Sequence, residues 1–171
     1  MYGKHNGYIM SHFFNRPIAG EELKKLEDEK ESMFREIYKD KVETIPHYLP
    51  FLEELKSRGF KTAVATSAPR ANLDLIINAL KIEDKMDSMM ASQDVQNHKP
   101  DPEVYLKSAE RVGVSPSDCV VFEDSFSGVT AGLNAGMKVV GVLSSHTKAQ
   151  LPPCNFYIND YSEVNADKIL E

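Results

Sequence analysis

Three short polar groups stand at the ends of apolar runs or beside them, and their residue types suit the handling of a phosphoryl group. Thr66-Ser67 directly follows the run 60–65, FKTAVA. A hydroxyl and turn N–H groups at such a place can bind an anionic oxygen near a helix N-terminus. His98-Lys99-Pro100 precedes a helical stretch, and the prolines of HKPDP hold its lysine in a stiff loop, where it can neutralise a transferring phosphoryl group. Glu123-Asp124-Ser125 ends the run 119–122, CVVF. Helix capping accounts for one of two adjacent carboxylates at the end of a buried strand, not for both. A hard, oxygen-seeking cation such as Mg2+ accounts for the pair. Taken singly, Thr66-Ser67 also reads as a cap and Lys99 as a solvated surface lysine.

These groups need strand ends to hold them. Runs 60–65, 88–91, 119–123 and 138–143 are short and apolar, as buried strands are. Between and around them, residues 49–58, 72–80, 102–112, 126–135 and 163–170 have helical spacing. Gly59 and Gly136 stand as helix stops, with Asp101 as an N-cap and Pro102 in the first helical turn. Strand and helix alternate over short connections, which predicts an α/β fold with a Rossmann-like parallel sheet. In such sheets ligands bind beyond the C-terminal strand ends, where all three groups lie.

Residues 1–45 differ. The stretch GEELKKLEDEKESMFREIYKDK is highly charged, with Leu23, Leu26, Met33, Phe34, Ile37 and Tyr38 at roughly helical spacing, and a shorter helix is expected over 8–15. Pro46 and Pro50 mark a hinge, so the expected division is a small helical piece, 1–45, and an α/β unit, 46–171.

With 42% hydrophobic and 27% charged residues, the 171-residue chain has an ordinary globular composition. A net charge of −6 and a lack of basic tracts argue against nucleic-acid or anionic-membrane partners. No apolar run reaches a membrane-spanning length and no signal-peptide pattern opens the chain, so a soluble, cytoplasmic protein is expected. Cys119 and Cys154 have no metal or disulfide spacing, and Cys119 is expected as a buried free thiol. The histidines show no ligand spacing either.

The stretches TAVATSAPRAN, NHKPDPEVY and VVFEDSFSGVTAGLNAGM resemble motifs II, III and IV of the haloacid dehalogenase superfamily. Their nearest likeness is the branch of β-phosphoglucomutase and small-molecule phosphatases. The resemblance implies a Rossmann-like core with a helical cap, of which residues 1–45 are similar to the back half. By that likeness Thr66, with Ser67, binds the phosphoryl group, Lys99 is the motif III lysine, and Glu123 and Asp124 hold Mg2+. Lys4, Asn6 and Arg35 become candidate cap contacts to substrate.

Superfamily members use an aspartate nucleophile and a second aspartate as acid/base, both from a D-x-D-G motif on the first strand. No such motif occurs in these residues. The expectation is therefore a core without its first strand, through truncation or in a non-catalytic phosphate- and metal-binding derivative, with self-association through exposed strand edges. The substrate implied is a small phosphorylated metabolite such as a sugar phosphate. Phosphatase action is the leading reading and sugar-phosphate mutase action the alternative.

Overall fold

A computed structural model describes residues 6–170. It divides into two compact units, Met1–Val42 and Glu43–Glu171.

In the first unit, α1 (Asn6–Phe13) and α2 (Gly20–Tyr38) flank a turn that buries Ile18, whose N–H donates to the Ser11 hydroxyl at 2.9 Å. Glu21 and Glu22 in the first turn of α2 and Arg35 in its last suit the helix dipole. Phe34 stacks on Tyr38, yet no residue of α2 is buried, and Phe13, Met33 and Ile37 are largely exposed.

The second unit alternates strand and helix. Its elements are α3 (Tyr48–Ser57), β1 (Ala63–Ala65), α4 (Arg70–Leu80), β2 (Ser88–Met90), α5 (Glu103–Val112), β3 (Val120–Glu123), α6 (Phe126–Asn134), β4 (Lys138–Val142), β5 (Phe156–Ile158) and α7 (Ala166–Leu170). Every pairing is parallel, and each pair is joined by a crossover long enough for it. β4 shows why the run VVGV that follows Lys138 is apolar throughout. Val139 packs with α5 and α6, whereas Val140 and Val142 pack with Phe51 and Ile169 on the opposite face. A strand covered on both faces has no polar side. Gly132 lets α6 close on the sheet, since a Cβ there would stand 2.9 Å from Val139.

The strands form two sheets, β1-β2 and β3-β4-β5, with no ladder between β1 and β3. The two halves do not close directly on each other. A cavity of about 580 Å³ separates them, lined by both strands and by α3 and α5. β5 was not foreseen, and β1 starts three residues later than expected. Lys61 and Thr62 leave the ladder for Asp87, whose carboxylate accepts from the Thr62 N–H at 2.9 Å, from Lys56 at 2.6 Å and from Lys61 at 3.0 Å. Cys119 is half-buried rather than buried.

Those donors, Lys56 foremost, hold the Asp87 carboxyl well below the usual carboxylate range. A depressed folded-state pKa gives stability that is present above the unfolded value, near 3.9, and is lost as pH falls below it. Asp87→Asn is therefore expected to cost about 1 kcal/mol at pH 7, a modest figure because the ion pairs meet solvent. The deficit should shrink below pH 4 in urea melts. A pH-independent deficit would show that shape, not charge, sets the value of Asp87.

Candidate active site

Strand alternation sets the geometry of the acidic pair. Val121 and Glu123 project on the same face of β3, towards α5 and α6, so the Glu123 side chain runs inward. There its Oε1 accepts from the Tyr105 hydroxyl at 2.6 Å and from the Lys99 ammonium. Its Oε2 accepts from the Ser125 hydroxyl at 3.0 Å, with the N–H groups of Asp124 and Ser125 at 3.2 and 3.3 Å. Both carboxylate oxygens are thus engaged by protein donors. Burial alone would push the Glu123 carboxyl up, but the charge and hydrogen bond of Lys99, aided by Tyr105 and Ser125, outweigh it and hold it below its ordinary value. Burial first, and then the Glu123 charge, push the Tyr105 phenol far above its own, so it donates as a neutral hydroxyl.

Lys99 is the hinge of the arrangement. Its side chain is 7% exposed, lies over the Tyr105 ring and donates to the Ala65 carbonyl at 3.1 Å. One ammonium therefore touches the C-terminal end of β1 and, through Glu123, that of β3. Two of its three N–H groups are used, which leaves one for an incoming anion. The N-cap of α5 is Pro102 rather than Asp101, which stands one residue before it and accepts from the Glu103 N–H at 2.9 Å.

Asp124 faces a different environment. Its Oδ2 lies 3.1 Å from the Ser144 hydroxyl and 3.0 Å from that of Ser145, both in the segment after β4. Oδ1 has no described protein donor, so this carboxylate fits a hard cation where Glu123 does not offer an open oxygen. Among the described residues no group of three or more His, Cys, Asp or Glu could hold a metal ion. Thr66 follows β1, and its hydroxyl accepts from the Ala68 N–H at 3.1 Å, leaving its own hydrogen to donate; Ser67 is exposed beside it.

Thr66, Lys99, Glu123 and Asp124 thus all stand at C-terminal strand ends or reach them. Arg35 lies in the last turn of α2, in the first unit. Asn6 opens α1, and Lys4 lies outside the described residues.

The sequence matches the family described as haloacid dehalogenase-like hydrolase over residues 3–142. The chain belongs to that family. This haloacid dehalogenase-like chain is 35% identical over 158 residues to a haloacid dehalogenase-like hydrolase domain-containing protein of Arabidopsis thaliana, an alignment covering 87% of it and 50% of the relative. It is 40% identical over 123 residues to a phosphorylated carbohydrates phosphatase of Thermotoga maritima, covering 71% of it and 55% of that protein. It therefore spans about half the length of these curated relatives. A crystal structure of a family IA, variant 3 hydrolase from Entamoeba histolytica superposes with a TM-score of 0.92 at 28% identity, covering 99% of this chain and 78% of that one. The α/β Rossmann-like core is thus that of the family.

Sequence reasoning did not single out Tyr105, Ser144 or Ser145. It quoted Gly128 only within a pattern, and its reason is steric. A Cβ on Gly128 would overlap the Glu123 carboxylate. Gly128→Ala is expected to displace that carboxylate and cost about 1–3 kcal/mol, as overpacking does. Thermal unfolding measures the cost. A variant of unchanged stability, with Lys99 and Tyr105 NMR signals unmoved, would contradict it.

Proposed function

We propose that this chain supplies the phosphoryl- and cation-binding side of a Mg2+-dependent phosphatase acting on a small phosphorylated metabolite such as a sugar phosphate. The observation that carries the reading is Lys99, a buried ammonium with one N–H to spare, held where two strand ends meet beside Thr66 and Asp124. The named activity of the Thermotoga relative supports the substrate class. Residues before the hinge are read as part of a helical cap.

In this reading the Thr66 hydroxyl and Lys99 each donate to a phosphoryl oxygen, and Lys99 neutralises charge that grows in the transition state. Glu123 fixes the position of Lys99. Asp124, steadied by Ser144 and Ser145, would hold Mg2+. The cation supplies Lewis-acid stabilisation of the phosphoryl group when bound. Attack on phosphorus by an aspartate, giving a phospho-aspartyl intermediate, needs a carboxylate free to approach. Neither described carboxylate of the cluster is so placed, since Glu123 is saturated and Asp124 is committed to the cation. The nucleophile is therefore assigned outside these residues.

With Mg2+ and a panel of sugar phosphates, this chain alone is expected to release no phosphate. Mg2+-dependent turnover by the 171-residue protein would overturn the assignment of the nucleophile.

A further inference from the structure

We infer that His146 and Ser145 are positioning residues for Asp124: the imidazole carries its hydrogen on Nδ1 and donates it to the Ser145 hydroxyl, which is thereby left to give its own hydrogen to Asp124. The consequence for Mg2+ rests on the reading of Asp124 as the cation's carboxylate, whereas the relay itself follows from hydrogen-bond accounting.

The fold brings the three residues together at one end of the sheet. β3 and β4 are parallel, with Glu123 opposite Gly141, so the residue after β3 meets the segment that leaves β4. That segment is held on both sides. Before it, the Leu143 N–H donates to the Ile158 carbonyl at 2.8 Å. After it, the Thr147 N–H donates to the Gln150 side-chain oxygen at 2.9 Å, and the Thr147 carbonyl accepts from the Gln150 N–H at 2.9 Å. Leu151 then enters the core. Ser144, Ser145 and His146 form the bridge between these two anchors.

The Ser145 Oγ has three polar neighbours: Asp124 Oδ2 at 3.0 Å, the Asp124 carbonyl at 3.1 Å and His146 Nδ1 at 2.8 Å. A hydroxyl has one hydrogen and two lone pairs. Both Asp124 oxygens only accept. With a bare Nδ1 all three neighbours would be acceptors, and a single hydrogen would leave lone pairs facing each other within hydrogen-bond distance. With the hydrogen on Nδ1, the shortest contact becomes a donation to Ser145. The Ser145 hydrogen is then shared only between the two Asp124 oxygens, and the charged one holds it more strongly. The partner of one ring nitrogen thus sets the tautomer.

The effect falls on Asp124. Ser144 donates to the same Oδ2 at 3.1 Å, so two hydroxyls hold one carboxylate oxygen, and Oδ1 is the oxygen without a described donor. Two bonds on one oxygen fix the rotation of the carboxylate before any cation arrives. Removing such an outer partner of a metal ligand typically costs about 10–100-fold in metal affinity. Ser145 is exposed and His146 half-buried, so the lower end applies here.

The test uses the 171-residue chain and begins without metal. At alkaline pH, long-range proton–nitrogen NMR of the imidazole should show the His146 hydrogen on Nδ1, and Ser145→Ala should lower the share of that tautomer. Three-bond couplings about the Asp124 χ1 should report one rotamer in the parent and averaging in Ser145→Ala and His146→Ala. His146→Asn should restore the single rotamer, because its side-chain NH2 hangs from Cγ as Nδ1–H does and donates in its place. Mn2+, added next, should bind beside Asp124 about tenfold more weakly in Ser145→Ala. In His146→Ala the loss should be about threefold, the worth of one weak hydrogen bond, with His146→Asn close to the parent. A bare Nδ1 in the parent, the same Asp124 rotamer in every variant, or equal loss of Mn2+ affinity in His146→Asn and His146→Ala would overturn the relay while the cation reading stood. No Mn2+ broadening at Asp124 in the parent would overturn the cation reading, and the tautomer and rotamer results would decide the relay by themselves.

Discussion

Lys99→Met is expected to destabilise the fold by about 3–5 kcal/mol, because it leaves Glu123, 11% exposed, as a buried carboxylate without its cation. Glu123→Gln should be costly for the mirrored reason. The double variant Lys99→Met/Glu123→Gln is expected to recover most of the loss, since the amide oxygen in the Oε2 place still accepts from Ser125 while its NH2 donates to the Tyr105 hydroxyl oxygen, and the desolvation penalty of both charges is gone. Urea unfolding of the four proteins gives the coupling energy directly. In Lys99→Met, burial dominates at Glu123 and raises its carboxyl, so the folded state binds a proton more tightly than the unfolded chain. The stability of that variant should therefore rise as pH falls. Additive losses, or a single variant as stable as the parent, would show that the pair is solvated and that Glu123 does not position Lys99.

The second large effect is chemical. In a form of the protein that releases phosphate, Asp124→Asn is expected to abolish Mg2+-dependent turnover with the fold intact, since it removes the open carboxylate oxygen of the cluster. Thr66→Ala should lower kcat by about 2.7–4 kcal/mol in barrier, the usual value of one donor aimed at transition-state charge. The effect should fall on kcat more than on KM. Unchanged turnover of Asp124→Asn at saturating substrate would remove the cation from Asp124. A Thr66→Ala effect confined to KM would make its hydroxyl a contact to ground-state substrate only.

Much of this architecture is legible in the sequence because parallel strands covered on both faces leave an unbroken apolar signature, as in VVGV and CVVF. β5 left none. Its three residues, FYI, follow a Pro-Pro-Cys-Asn turn and become a strand only by pairing with β4, Val142 opposite Ile158. The end of a strand is equally a tertiary matter. In FKTAVA, Lys61 and Thr62 turn to the Asp87 side chain and Phe60 to the Leu55 carbonyl, which no local pattern announces.

The candidate site was legible as residue types and not as roles. Adjacent carboxylates look alike in a sequence, but alternation along β3 sends Glu123 inward to Lys99 and leaves Asp124 beside Ser144 and Ser145. Tyr105 was hidden as one more apolar position of an amphipathic helix, and its hydroxyl matters only because α5 lies under β3. Gly128 carried a signal within EDSFSG, whose meaning needed the Glu123 rotamer.

The most direct test of the central claim is a Mn2+ and orthophosphate titration of this chain by amide NMR. Mn2+ replaces Mg2+ and broadens nearby signals. The prediction is that Asp124, Ser125, Ser144 and Ser145 broaden first, that orthophosphate then shifts Thr66, Ser67 and Lys99, and that Asp124→Asn loses the broadening. Broadening that begins elsewhere, for example along α2, with Thr66 and Lys99 unmoved by phosphate, would contradict a phosphoryl and cation site at these strand ends.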